Sequence, residues 1–246
     1  MRVRRWSIRL LVLFGMLSAA TTILVVELAP ALAAYACPRC YGLKGVGDGI
    51  YVDKAMPTDE LTQIKSILTE AERRVRMFFG TFDQKPVLLI CATEACNCRL
   101  GGRGGKGRAY GSKFIFISPA GRNAAILAHE YSHIELNSRI GIVGLVLGAV
   151  PAWFDEGVAV IVSRDERYLR IDERGKMHCL TEPATDLPKS RREWGWRAGT
   201  KSEPIYAMTA CRVLRWMESN GGPPGVLREI SEMDDGQSLR IFRSSR

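Results

Sequence analysis

An α+β fold is what the apolar patterns of this 246-residue chain predict: a small mixed β-sheet packed on one central helix, followed by a mostly helical C-terminal lobe. Three observations carry the expectation. Short β-rich runs, at residues 49–53, 86–91 and 113–118, all fall in the first half of the chain. Between residues 59 and 79, Leu61, Ile64, Ile67, Leu68, Ala71, Val75, Phe78 and Phe79 recur with a 3.6-residue rhythm. From Asn123 onward the pattern is mainly helical.

In chain order, the first 33 residues have the layout of a signal peptide. Arg2, Arg4, Arg5 and Arg9 precede an uncharged stretch over residues 10–26, and Ala31-Leu32-Ala33 offers a small-x-small cleavage site. Cleavage after Ala33 is the favoured expectation. A retained signal-anchor competes, because the stretch matches the short end of a membrane span. Either outcome exports the remainder to the periplasm or outside, with an inner-membrane anchor at residues 10–26 in the second case. Arg4-Arg5 is explained by a basic leader without invoking a twin-arginine signal. Cys37 lacks the Leu of a lipobox.

Residues 34–246 are expected to form one domain, with 46% hydrophobic residues in the whole chain, no repeat and no long linker. The leader carries four Arg and one Glu, so of the +9 formal charge the remainder keeps +6. That suits an anionic envelope surface and does not support nucleic-acid binding. Seven cysteines in an oxidising compartment should pair. Cys37-Pro-Arg-Cys40 reads as a local disulfide or tether, with redox or metal handling the rival reading. Cys91–Cys96 is a second local candidate, and an odd count leaves at least one thiol over. A second zinc site from Cys37, Cys40, Cys91, Cys96 and Cys98 lacks clean ligand spacing.

Residues 49–53 read as a short strand. Thr58 is expected to cap the helix over 59–79 and Gly80 to end it. Residues 86–91 and 113–118 read as buried strands. Between them, Gly102, Gly104 and Gly107 formally satisfy G-x-G-x-x-G, but a dinucleotide site needs a helix next and here a strand follows. Lys106 is followed by Gly107, so there is no Walker A. A solvated loop near a cleft is expected; the alternative is a mobile loop whose Arg103, Lys106 and Arg108 favour acidic groups.

Ala128-His129-Glu130-Tyr-Ser-His133 contains H-E-x-x-H. Asn123 is the expected N-cap of its helix, which should run to about Arg139 before Gly141 and Gly144. Residues four apart project from one helix face, so both imidazoles can reach one Zn²⁺ at ~2.0–2.1 Å. Glu130 is rotated by ~100° from His129, beside the metal instead of on it, where it can take a proton from an attacking water. Glu156 follows His133 by 23 residues, on a second helix beginning near Pro151. Gly157 and Ala159 permit close packing, which would bring Glu156 in as third ligand.

The run Trp153-Phe-Asp-Glu156-Gly-Val-Ala159 resembles the W-x-x-E-G-x-A segment of gluzincins, and the chain is similar to small bacterial peptidase-MA-like proteins over residues 110–162. The resemblance implies a zinc metallopeptidase with His129, His133 and Glu156 as ligands, one Zn²⁺, Glu130 as general base and a peptide or protein as substrate. A metzincin is excluded, because Leu136 and Arg139 stand where Gly and His are required. The G-x-M-E-N motif of M1 aminopeptidases is missing, which favours an endopeptidase. The resemblance also implies an oxyanion donor, for which Tyr206, Tyr168 and His178 are candidates, Tyr206 first. Part of residues 110–118 would serve as the edge strand that takes the substrate backbone. Glu135 is expected as an exposed ion-pair partner, His178 as a solvated loop residue, and Asp155 as either a support to the ligands or an exposed carboxylate. The competing function is a catalytically inactive zinc-binding envelope protein.

Beyond Ile161 the chain turns polar until a helix opening at Tyr206, which Asn220-Gly-Gly-Pro-Pro224 should stop. A short helix and a frayed basic end are expected to follow.

Overall fold

A computed structural model describes residues 29–102 and 104–232. The fold is α+β, as expected. A short helix α1 (Pro30–Ala36) and a 3₁₀ turn lead into strands β1 (Leu43–Gly47) and β2 (Ile50–Asp53). Helix α2 (Thr58–Phe79), β3 (Val87–Ile90), α3 (Glu94–Arg99), β4 (Gly107–Tyr110) and β5 (Phe114–Ile117) follow. The long α4 (Ala124–Leu147) and α5 (Ala152–Ser163) form the centre. A two-stranded sheet, β6 (Leu169–Ile171) and β7 (Met177–Cys179), then precedes α6 (Arg191–Thr200), α7 (Ile205–Asn220) and α8 (Pro223–Ser231).

The larger sheet is mixed, in the order β1-β2-β3-β5-β4. β2, β3 and β5 run parallel, flanked by antiparallel β1 and β4. Both faces are covered, so β3 and β5 read as unbroken apolar runs. Leu88, Ile90, Ile115 and Ile117 point into the main core against α2, α4 and α5. Leu89, Cys91, Phe114 and Phe116 face a second core with Ala31 and Ala34 of α1. Each fully buried Ile or Leu contributes ~1.5–3 kcal/mol of transfer free energy.

Asn123 caps α4 as expected, its side-chain oxygen accepting from Ile126 N at 3.0 Å. Gly80 ends α2 at φ 79°, but Thr58 is already helical and Pro57 holds the cap position. The break expected after Arg139 falls at Gly141 (φ 67°, ψ 176°), beyond which the chain resumes a helical path to Leu147. Pro151 precedes the first turn of α5 as its N-cap.

Several elements were not expected. β1 and β4 are glycine-containing strands whose sequences read as loop; β1 carries an irregularity between Gly45 and Gly47. The polar tract after Ile161 holds the β6–β7 hairpin and α6, which buries Trp194 alone. The edge strand is also corrected: β5 lies inside the sheet between β3 and β4, and the edge nearest the histidines is β4.

The pairs Cys37–Cys40, Cys91–Cys96 and Cys179–Cys211 form disulfides, and Cys98 is free and exposed. The third, linking β7 to α7, was not foreseen. These bonds are compatible with an exported protein. Residues 10–26 lie outside the described residues; among the described residues no helix is long and apolar enough to cross a membrane. Ala33 falls within α1, between buried Ala31 and Ala34.

Candidate metal centre

His129 and His133 stand one turn apart on α4, their ring centroids 4.8 Å apart. Helix α5 packs across α4, and its first turns carry Glu156 to the same point. Gly157 does not face α4, on which it was expected to pack; it faces α7. A Cβ there would meet Thr209 O at 2.8 Å and Val213 Cγ2 at 2.7 Å, so α5 is wedged against α7 on its other side. The result is three converging donors. Glu156 Oε2 is 3.3 Å from His129 Nε2 and 3.8 Å from His133 Nε2. All ligand atoms of the trio lie within 4.8 Å of one another. Ligands at ~2.0–2.1 Å from a tetrahedral ion stand about 3.3 Å apart, so the trio fits a metal of that size. His129, His133 and Glu156 therefore form a group that could hold a metal ion, the three expected from the motif.

The ligands have their own support. His133 Nδ1 donates to Asp155 Oδ1 at 2.6 Å, so that in the neutral ring it is Nε2, toward Glu156, that carries no proton. Asp155 Oδ2 in turn accepts from Arg191 Nη2 at 2.6 Å. Burial would push the His133 imidazolium down, but the carboxylates of Asp155 and Glu156 outweigh it and raise it to about 9. Burial would likewise raise Asp155; His133 and Arg191 reverse this and hold it below the usual carboxylate range. Asp155 is buried and tied to the centre, which decides between its two expected roles. Arg191 was not foreseen, because nothing in its sequence neighbourhood points 36 residues back to α5.

Glu130 projects beside the trio and is buried against β4. The Ala109 backbone N–H donates to its carboxylate, and Gly107 lies so close that a Cβ would meet Glu130 Oε1 at 2.9 Å. Burial raises its carboxyl above the ordinary value, with Glu156 adding to the shift and the two histidines opposing it. The glycine-rich run thus gives the edge strand a position that clears space for Glu130. Lys106 is held by its carbonyl, which accepts from Ser118 N and Oγ at 3.0 Å. Arg103 lies outside the described residues.

The three oxyanion candidates separate. Tyr206, on the first turn of α7, has its ring 6.4 Å from the His129 ring. Tyr168 stacks on Tyr206 at 4.9 Å, and Trp194 meets Tyr206 edge-on at 5.0 Å and hydrogen-bonds its phenol. Burial, then the Glu156 charge, pushes the Tyr206 phenol above its ordinary value, so it is a neutral donor. His178 is elsewhere: it lies on β7 and bonds Asp172 Oδ2 at 2.7 Å within the hairpin. Glu135 pairs with Arg139 at 2.8 Å as expected, but it is buried instead of exposed, since α4 is enclosed through Asn137.

No protein family profile matches the chain, and no curated protein or solved structure shows significant similarity to it.

Proposed function

We propose that the chain is an exported zinc-dependent peptidase, acting on peptide bonds as an endopeptidase. The observation that carries the reading is the convergence of His129, His133 and Glu156 with Glu130 held beside them by the β4 backbone. Its resemblance to gluzincins in the H-E-x-x-H and W-x-x-E-G-x-A segments supports the same reading. Two imidazoles and one carboxylate are the donor set of a catalytic zinc that keeps an open position.

Zinc bound there would polarise a substrate carbonyl and acidify a water. The chain supplies the rest. Glu130 takes the proton of the attacking water and returns it to the leaving amine nitrogen. The Tyr206 hydroxyl donates to the oxygen on which negative charge develops. The edge of β4 receives the substrate backbone as an added strand, lying next to Glu130. Asp155 holds His133 in its tautomer, and Arg191 holds Asp155.

Glu130→Gln separates the reading from its rival. It should bind one equivalent of zinc like the wild type and lose turnover of a mixed peptide library by ~10²–10⁴-fold. Wild-type protein purified without chelators and free of stoichiometric zinc would overturn the metal assignment. Zinc binding with no turnover above Glu130→Gln would make the chain the inactive zinc-binding envelope protein.

A further inference from the structure

Between Arg139 and Asp155 the chain carries no charged residue, and its sequence Ile140-Gly-Ile-Val-Gly-Leu-Val-Leu-Gly-Ala-Val150 has no polar side chain. Such a run belongs in a core. The fold places half of it outside. Helical geometry is interrupted at Gly141, and the stub beyond it ends at Gly148 (φ 64°) in the left-handed region. On this short stub Ile142 is 78% exposed, Val143 54%, Val146 78% and Leu147 66%. They are neighbours at helical spacing, so the exposure forms one patch instead of scattered side chains.

We infer that this stub inserts into the surface of a lipid bilayer. Two further observations single out that occupant. The first is where the rest of the chain's apolar surface lies. Gly111, in the β4–β5 turn, approaches Leu145 of the stub, where an added Cβ would be 3.8 Å from Leu145 Cδ2. From that turn, Tyr110 stacks on Phe114 at 4.3 Å and Phe114 on Tyr35 of α1 at 4.6 Å. The stub and α1 therefore share one end of the β4–β5 hairpin. α1 also exposes Leu32 and Tyr35. Stub and helix reach the turn end of the β4–β5 hairpin from its two faces.

The second is charge. Lys189 lines the ≈290 Å³ cavity behind the stub together with Gly144 and Leu147, as does Arg191, whose guanidinium is bound to Asp155, and exposed Lys113 follows the turn next to Leu145. One face of α6 then carries exposed Arg192 and, four residues on, Trp196 at 71% exposure. An apolar tip, basic residues behind it and an exposed tryptophan are the composition of an interfacial anchor on anionic lipid. A second copy of the chain would leave the basic residues facing one another. Asp155 lines the same cavity, so the His129–His133–Glu156 group is held close to the bilayer whatever its chemistry.

The test uses the full chain with Cys98→Ser, reconstituted in phosphatidylcholine–phosphatidylglycerol vesicles. An environment-sensitive fluorophore is attached at Val146→Cys or, as control, at Lys65→Cys. Lys65 lies on α2, whose first turn meets the N-terminal end of α4 through Glu60–Arg122, about 25 Å from the stub. Insertion by about 5–10 Å should shift the Val146 label to the blue and let bromine-bearing lipids quench it about twofold, with no change at Lys65. Adding Ile142→Asp and Leu147→Asp should abolish the shift and the quenching while circular dichroism stays unchanged, since both side chains are exposed. A Val146 label that remains open to aqueous iodide and untouched by bromolipid overturns the proposal. So does a blue shift that depends on protein concentration without vesicles, which would make the patch a self-association face. Neither readout needs zinc or peptide turnover.

Discussion

Replacing Gly157 by Ala isolates the contact between α5, which carries Glu156, and α7, which carries Tyr206. In a free helix the change is favourable: Ala exceeds Gly by ~1 kcal/mol in helix propensity. Here the new Cβ would stand 2.8 Å from Thr209 O, 3.0 Å from Thr209 C and 2.7 Å from Val213 Cγ2, where ordinary contact begins at 3.4 Å. The Val213 methyl can rotate, but the Thr209 carbonyl belongs to the α7 backbone and cannot swing aside. Overpacking costs ~1–3 kcal/mol, and a backbone clash belongs at the upper end, so the net is about 2 kcal/mol of destabilisation. The displaced helix carries Tyr206, whose carbonyl accepts from Thr209 Oγ1 at 2.9 Å, and the opposed helix carries Glu156. Urea unfolding with the disulfides intact should show a lower midpoint at unchanged slope. Adding Val213→Ala should recover ~0.5–1 kcal/mol relative to additivity, because it removes the side-chain part of the clash and leaves the carbonyl. A Gly157→Ala protein as stable as the wild type, or more stable, would refute the wedge.

Three further outcomes are expected. Asp155→Asn keeps the shape of the side chain but weakens its hold on His133 Nδ1, and chelator-competition titration should find zinc bound ~10–100-fold more weakly; equal affinity would deny Asp155 any part in ordering the ligand. Tyr206→Phe should lower kcat on the order of 10²-fold with KM little changed, and an unchanged kcat would move the donor role to Tyr168. Asp53 is held below the usual carboxylate range: burial raises it, but the Thr93 hydroxyl at 2.7 Å and the Ala55 and Thr93 backbone N–H groups outweigh burial. A lowered folded-state value means stability that is complete above the unfolded value of ~3.9 and lost as pH falls through the folded one, so Asp53→Asn should reduce stability by ~2 kcal/mol at pH 7 and flatten the acid limb of a stability–pH curve. A parallel limb in the variant would show that other carboxylates set it.

What could be read from residue order alone has a common character. The helix bearing His129 and His133 was legible because a cap, a run of helix-forming residues and the i, i+4 spacing are local properties. So were the buried strands at 87–90 and 114–117, whose unbroken apolar runs announce cover on both faces. Glu156 was legible as a candidate ligand through its motif; its neighbour Gly157 signalled close packing, but the helix it packs on is α7 and not α4. β4 and α6 were not legible. Gly107 belongs to a run whose composition says loop, and it is ordered as a strand by pairing with Ile117 of β5. Arg191 begins a helix with little apolar surface of its own, held mainly by Trp194 against Ile205 and Ala152.

The sequence by itself determined the side chains that are spaced along one helix: two imidazoles on one face and a carboxylate rotated beside them. Only the tertiary structure decided which groups meet that helix from elsewhere. It placed Tyr206 beside His129 and His178 in the β6–β7 hairpin, enlisted Arg191 through Asp155, seated Glu130 against Gly107 and Ala109, and left Ile142, Val143, Val146 and Leu147 outside the core. The physical reason is range. Helical spacing is set by backbone geometry within a few residues, whereas these contacts join segments tens of residues apart, and steric fit between whole helices and strands determines them.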